Sequence, residues 1–272
     1  MVGICYTLQI FKYPFYKQQM MENRTFYDEH PFYYDNPEKE MLVMNKLPLG
    51  NFVEKYIKEN SKVADVGCGC GIKAKYILKR KRIKDYTGVD LSEESLKIAK
   101  KLNPTIKTLN LSNTDMSFIH SNSLDIVISD GVIHHTESPY TSFKEIVRIA
   151  KKGAKIYLST YNREHLFYWA YRFSSILRFL RRIHLGIINK IIVFPLFYVF
   201  WMQIGTYKLY KKFKLIPIKE AWLVFNDNLM TPKAYYYYND DILLWCDVNN
   251  VKVLESTTYV YGQMLSYVLE KC

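Results

Sequence analysis

Apolar positions recur with two different periods between residues 49 and 162, and their alternation predicts the architecture. From Leu49 to Lys58, Phe52, Val53, Tyr56 and Ile57 fall at helical spacing, and Asn60-Ser61 ends the run as a turn. Lys62 to Val66 is a short β-branched run leading into glycines, Ile72 to Lys81 is helical, and Tyr86 to Val89 is a second strand, together one βαβ unit. Ser92 with Glu93 and Glu94 suits a helix start over Ser92 to Lys101, because a hydroxyl caps orphan amides and carboxylates favour the positive end. Thr105 to Leu109 reads as the third strand, Leu124 to Ser129 as the fourth and Tyr140 to Ala150 as a helix. Ala154 to Thr160 follows as the fifth strand, after the Lys151-Lys152-Gly153 turn. Asn239-Asp240-Asp241 caps a short helix to Val248, with strands at Val251 to Ser256 and near Gln263 to Val268. The expected fold is α/β, a seven-stranded, mostly parallel sheet with an antiparallel edge strand and helices on both faces.

Outside this pattern lie an arm and an insert. Residues 1–40 are rich in aromatics and proline without clear period, predicting an irregular arm with one short helix; Met20 and Met21 are alternative starts. No basic lead or small-residue cleavage site marks a signal peptide. After Tyr161 about seventy aromatic, apolar and basic residues precede Thr231-Pro232. Within them Leu166, Ala170, Phe173, Leu177 and Leu180 form one helical stripe, with Arg172, Arg178 and Arg182 away from it. Such a helix either packs as a lid on the catalytic domain or lies on an anionic bilayer. The apolar run Ile191 to Met202 contains Pro195 and is shorter than the roughly 20 residues of a span. It predicts a hydrophobic cap over a pocket, in which Phe194, Phe197, Tyr198, Phe200 and Trp201 suit a greasy or aromatic ligand. Tyr235 to Tyr238 reads as an edge strand or loop. The domains expected are therefore an arm (1–40), a nucleoside-binding core (41–162), a helical insert (163–233) and a C-terminal completion of the sheet (234–272).

Composition narrows the picture. With 272 residues and 49% hydrophobic content the chain can bury a sizeable core. Five cysteines without framework spacing argue against a disulfide scaffold and for a cytoplasmic location, with peripheral membrane contact through 164–202 left open. The net charge of +12 favours an anionic neighbour or a merely basic, solvated surface.

The candidate chemistry centres on Asp65-Val66-Gly67-Cys68-Gly69-Cys70-Gly71. Glycines between a strand and a helix let the backbone approach a ligand closely, and Asp90, nineteen residues beyond Gly71, stands where a carboxylate reaches ribose hydroxyls. Gly69-Cys70-Gly71-Ile72-Lys73-Ala74 also satisfies a dinucleotide fingerprint. Asp65 argues against that reading, since its charge would repel a pyrophosphate and neutralise a cationic amino-acid moiety. Cys68 and Cys70 are small residues in a tight loop, without further clustered ligands for a metal.

In this order the segments resemble the class I, Rossmann-like S-adenosylmethionine-dependent methyltransferases of the type 11 or quinone-methyltransferase kind. Val63 to Gly71 matches their first motif, Gly88 to Ser92 their acidic second segment and Ser123 to His135 their fourth-strand motif. Lys151 to Leu158 resembles the turn into their fifth strand, without its usual proline and second glycine. The resemblance covers roughly residues 50–162 and implies S-adenosylmethionine as cofactor. It places Asp65, Gly67, Cys68, Gly69 and Gly71 at the methionine part and Asp90 with Leu91 at the ribose. Asn110 and Leu111 would lie beside adenine, with Asp115 competing, and Ser129, Asp130 and Gly131 would border the methyl group. The aromatic leader Phe26 to Tyr34 resembles one that folds over the cofactor, making Tyr27 and Tyr33 closing residues.

Methyl transfer is an in-line displacement, accelerated mainly by alignment and water exclusion. His134 and His135 follow the fourth strand, where an imidazole can remove a hydroxyl proton, so both are candidate bases, His135 ahead. Quinone-type relatives hold a metal with two glutamates and a histidine; those glutamate positions are Gly131 and His134 here, so no metal is expected. An Asn- or Asp-Pro-Pro-aromatic motif of amino-methylating nucleic-acid enzymes and a Pro-Cys nucleophile are both absent from the fourth strand. The reading is an O- or N-methyltransferase of a small hydrophobic or aromatic, lipid-like metabolite. A non-catalytic module at a membrane or partner surface and an RNA methyltransferase are the alternatives.

Overall fold

The computed structural model describes residues 17–31, 37–183, 187–202 and 217–272. Tyr33, the first sixteen residues and the basic cluster at 208–214 lie outside them. The chain divides into two compact units, one of residues 1–165 and 233–272, the other of 166–232.

The first unit is built on a sheet of seven strands, β1 Lys62–Val66, β2 Asp85–Asp90, β3 Lys107–Asn110, β4 Leu124–Asp130, β5 Ala150–Tyr161, β6 Val251–Tyr259 and β7 Met264–Lys271. Their spatial order is β3-β2-β1-β4-β5-β7-β6. Strands β1 to β5 are parallel, and β7 runs antiparallel to both β5 and β6. Strand order reverses between β1 and β4, where an open parallel sheet leaves a crevice at its carboxyl ends. Val63 to Val66 are buried because helices cover both faces, and within this buried run Asp65 is the one charged residue. One face packs Phe143, Ile146, Ile242 and Cys246 from helices Pro139–Ile149 and Asn239–Val248. The other packs Phe52 and Val53 from helix Pro48–Tyr56, Tyr76 and Ile77 from Ile72–Leu78, and Ala99 from Glu93–Leu102.

The expected helix start at Ser92 is a working cap, its Oγ accepting from the Ser95 amide at 3.1 Å. Among its described residues the arm has the expected helix, over 17–29, and a second one, Pro37–Met44, that begins inside the arm's expected bounds. Inward positions of helix 17–29 include Gln19 and Asn23, buried polar side chains that a search for apolar periodicity passes over. Strand β5 begins four residues early, taking in the expected Lys151-Lys152-Gly153 turn. Tyr237 forms an isolated bridge to Asn162 rather than a strand.

The second unit holds helices Phe167–Phe173, Ser175–Arg182 and Ile218–Phe225, with wide π-type turns at Asn189–Val193, Phe197–Met202 and Asn226–Met230. Its inner side carries Phe167, Tyr171, Ser174 and Arg178, not the expected stripe; Leu166 and Phe173 of that stripe face solvent. The Arg178 guanidinium lies 4.0 Å over the Tyr171 ring and donates to the Leu229 carbonyl at 3.1 Å. Among the described residues no helix is long and apolar enough to cross a membrane.

Candidate functional site

Three successive glycines with positive φ shape the turn after β1: Gly67 (77°), Gly69 (52°) and Gly71 (78°). A Cβ on Gly67 would sit 2.3 and 2.4 Å from the two Val132 methyl carbons, and one on Gly71 would sit 2.9 Å from the Ala99 Cβ. Those two glycines therefore let the turn lie against β4's exit loop and the next helix. Gly69 differs, because nothing lies within 4 Å of its missing Cβ, so the middle of the turn faces open space. Asp90 ties that middle down: its Oδ2 accepts from the Gly69 amide at 2.8 Å and its Oδ1 from the Ser92 amide at 2.9 Å. Each oxygen retains a lone pair for a further donor. Burial pushes the Asp90 carboxyl up, with the Ser92 and Gly69 amides opposing. Cys68 is committed to the fold. Its amide donates to the Val89 carbonyl at 2.9 Å, and its buried thiol, pushed well up by desolvation, fills the space beside Gly88. The Cys70 thiol is likewise pushed up to about 12 by burial, which makes it inert at neutral pH.

Asp65 is completely buried, and it already has a cation. Lys73, one residue into the following helix and 9% exposed, places Nζ 3.6 Å from Asp65 Oδ1 and donates to the Gly67 carbonyl at 3.3 Å. The Tyr86 hydroxyl donates to Asp65 Oδ2 at 3.2 Å. Burial raises the Asp65 carboxyl to about 6 against the pull of Lys73 and Tyr86. For Lys73 burial works against the charge, but Asp65, Asp130 and Asp90 outweigh it and the net shift is upward. Asp65 thus acts on the turn through Lys73, a residue that the sequence alone leaves looking solvated.

At the tips of β2 and β3 the Asn110 amide donates to the carbonyls of Asp90 (3.1 Å) and Leu91 (2.8 Å), and the Leu111 amide donates to Asp90 (3.2 Å). Asn110 is therefore a strand tie. Asp115 is exposed and accepts from the Ser117 amide at 3.2 Å. The residue there with an uncommitted group is Asn113, buried with no hydrogen-bond partner for Oδ1. Nearby, the buried Glu137 accepts from Ser112 at 2.9 Å and from Thr114.

Strand β4 ends in a polar cluster. The Gly131 amide donates to Ser159 Oγ at 2.8 Å, and Ser159 donates to Asp130 Oδ1 at 2.5 Å. The Tyr259 hydroxyl, from the last residue of β6, donates to the same oxygen at 3.0 Å. Gly131 has φ of 75° and open space where a Cβ would point, while Ser129 Oγ is buried without a partner. Tyr259 also lines a cavity of about 390 Å³ with Lys46, Asn51, Glu255, Thr257 and Ser266.

The two histidines separate. His134 is fully buried, its ring 3.8 Å from that of Tyr161, and both ring nitrogens lack hydrogen-bond partners. Burial, with His135 beside it, holds its pKa far below the usual imidazole range, so it stays neutral and serves packing. His135 places Nδ1 3.2 Å from the Lys233 carbonyl. A carbonyl only accepts, so Nδ1 carries the proton and Nε2 is the basic nitrogen. Helix 17–29 fixes this segment: Asn23 donates to the His135 carbonyl at 2.6 Å, and Lys233 donates to Gln19 at 3.1 Å. The same helix reaches β2's tip, where Asp28 accepts from Ser92 Oγ at 2.7 Å. Tyr27, between these anchors, sets its ring edge-on to His135 at 6.2 Å. Among the described residues no group of three or more His, Cys, Asp or Glu side chains gathers as a metal site.

A turn open above Gly69, a tethered carboxylate with spare lone pairs and the orphaned Asn113 oxygen fit a nucleoside at the switch point between β1 and β4. With the strand order, they define the class of fold, a Rossmann-like sheet of the kind found in class I S-adenosylmethionine-dependent methyltransferases. Residues 64–158 match a family model described as a methyltransferase domain. Similar proteins include the ubiquinone biosynthesis O-methyltransferases of Idiomarina loihiensis (30% identical over 135 residues, 47% of this chain and 54% of that one) and of Xanthomonas oryzae pv. oryzae (26% over 134, 47% and 55%). The chain spans about half the length of the curated relatives it matches. Among solved structures, a possible histamine N-methyltransferase from Thermotoga maritima aligns with TM-score 0.53 at 14% identity, covering 92% of this chain and 100% of that one. The [4+2]-cyclase SpnF aligns with TM-score 0.51 at 9% identity, covering 89% of this chain and 86% of that one. Likeness this distant speaks for the fold alone, which carries more than one chemistry.

Proposed function

We propose that the protein transfers a methyl group from S-adenosylmethionine to an oxygen or nitrogen of a small hydrophobic or aromatic acceptor, an O-methylated, quinone-like ring fitting best. The observation that carries this reading is the pair of open glycines, Gly69 and Gly131, facing free space at neighbouring strand tips, each beside a carboxylate held by hydrogen bonds. The bound cofactor supplies an electrophilic methyl on a sulfonium. Asp90 accepts ribose hydroxyls, Asn113 Oδ1 accepts from an exocyclic amine, and the Asp65–Lys73 pair holds the turn in shape. Gly131, Ser159 and Asp130 form the polar wall on the acceptor side. His135 takes the acceptor's proton at Nε2, and Tyr27 excludes water from above. The hydroxyl-lined cavity beside Tyr259 suits a ring bearing hydroxyl groups better than an alkyl tail. The ubiquinone O-methyltransferase likeness supports a quinone-like acceptor, and the matched 64–158 segment supports methyl transfer.

Incubating the protein with a metabolite extract and deuteromethyl-labelled cofactor, then reading mass spectra, tests it. A labelled product that depends on His135 is expected. Cofactor binding without any labelled product would favour a non-catalytic module.

A further inference from the structure

The helical pair Phe167–Phe173 and Ser175–Arg182 has two apolar sides, and only one is used inside its unit. Phe167, Tyr171, Ser174 and Arg178 recur at helical spacing and face inward. Ser174 donates to the Leu229 carbonyl at 3.1 Å and the Tyr171 hydroxyl to the Thr231 carbonyl at 3.4 Å. On the opposite side Leu166, Trp169, Phe173, Ile176, Phe179 and Ile183 also recur at helical spacing, yet each is between 44 and 77% exposed. Farther along, Ile191, Ile192, Leu196 and Val199 are each more than half exposed. Water normally faces the polar side of an amphipathic helix, and a contiguous apolar face of this size marks an interaction surface. The sequence of this unit is basic. Residues 166–232 hold ten lysines and arginines against two acids, a net +8 out of +12 for the whole chain. Arg172 and Lys190 are exposed on these same elements.

We infer that this face docks the protein on an anionic lipid bilayer, with the large apolar side chains at the headgroup–acyl boundary and the basic residues among the headgroups. Three features select that occupant. A tryptophan and two phenylalanines among branched aliphatics are what an in-plane interfacial helix inserts. The charge complements anionic headgroups, and each basic residue near such a surface strengthens attachment. A second copy of the chain would instead set +8 against +8. Among the described residues no helix is long and apolar enough to cross a membrane. This inference is independent of the cofactor reading.

Co-sedimentation of the full chain with vesicles tests it. Phosphatidylcholine vesicles containing about 30% phosphatidylglycerol should bind at least roughly tenfold more protein than phosphatidylcholine alone, and salt should weaken the binding. The double variant Phe173→Glu with Ile176→Glu should lose about tenfold or more of this binding while its circular dichroism and cofactor affinity stay unchanged. Brominated lipids should quench tryptophan fluorescence in the wild type and less in Trp169→Phe, a conservative change that preserves folding. The inference fails if the chain stays in the supernatant or binds both vesicles equally. It fails equally if Trp169→Phe is quenched as strongly, or if the wild type is a dimer that the double variant splits.

Discussion

Among side chains, Lys73 opposes most strongly the effect of burial on Asp65. Asp65 is raised to about 6, above the ordinary carboxylate value of 3.8. A folded-state pKa raised in this way contributes stability that is full below about pH 4 and is lost as pH rises through about 6. Lys73→Met removes the opposing cation, pushes Asp65 higher and carries this loss toward neutrality. Urea unfolding should show the variant destabilised by about 1–3 kcal/mol more at pH 8 than at pH 5; a penalty independent of pH would contradict the pairing. The histidines should also separate. His135→Gln keeps a polar side chain but no base, and should lower kcat by roughly 10²–10⁴-fold with cofactor affinity unchanged. His134→Ala should cost about 1–3 kcal/mol of stability by leaving a cavity beside Tyr161; kcat measured on the remaining folded protein should fall far less.

Turns and helices carry the next set of consequences, and they differ in how plainly the sequence announces them. The glycine turn is legible because its constraint is local. Gly67→Ala drives a Cβ into Val132 and should destabilise the free protein, whereas Gly69→Ala meets no protein atom and should cost the free protein only about 1 kcal/mol for its positive φ, its Cβ instead entering the cofactor's space and weakening binding. Thermal melts with and without cofactor distinguish the two; equal penalties would contradict the packing. The Ser92 cap was legible for the same reason, a hydroxyl followed by two acids at the start of a run. The position of helix 17–29 was not, because Gln19 and Asn23 turn inward to pair with Lys233 and the His135 carbonyl, groups more than a hundred residues away. Tyr259 and Ser159 were hidden likewise, since they meet Asp130 only when β5 and β6 are assembled. For helices Phe167–Phe173 and Ser175–Arg182, periodicity finds apolar positions but not which side faces water. Phe167, Tyr171 and Arg178 fill the inside, and Leu166 and Phe173, grouped by period with Ala170, Leu177 and Leu180, are outside.

At the scale of the whole molecule, a reversal of strand order between β1 and β4 gathers the carboxyl ends of β1, β2 and β4 around one crevice. Residues far apart in sequence, Gly69, Asp90, Asn113, Gly131 and His135, then stand on neighbouring strand tips. Much of this was legible because β1, β2 and β4 are short, largely buried runs, each punctuated by its own turn. The cavity beside Tyr259 was not, since its lining comes from β6, β7 and the segment around helix Pro48–Tyr56 together. The central claim is that the crevice binds S-adenosylmethionine through the turn and Asp90, and isothermal titration calorimetry tests it most directly. One molecule of cofactor per chain should bind, and Asp90→Ala should weaken it by about ten- to a hundredfold, some 1.4–2.7 kcal/mol. Undiminished affinity in that variant, or no binding by the intact chain, would contradict the account.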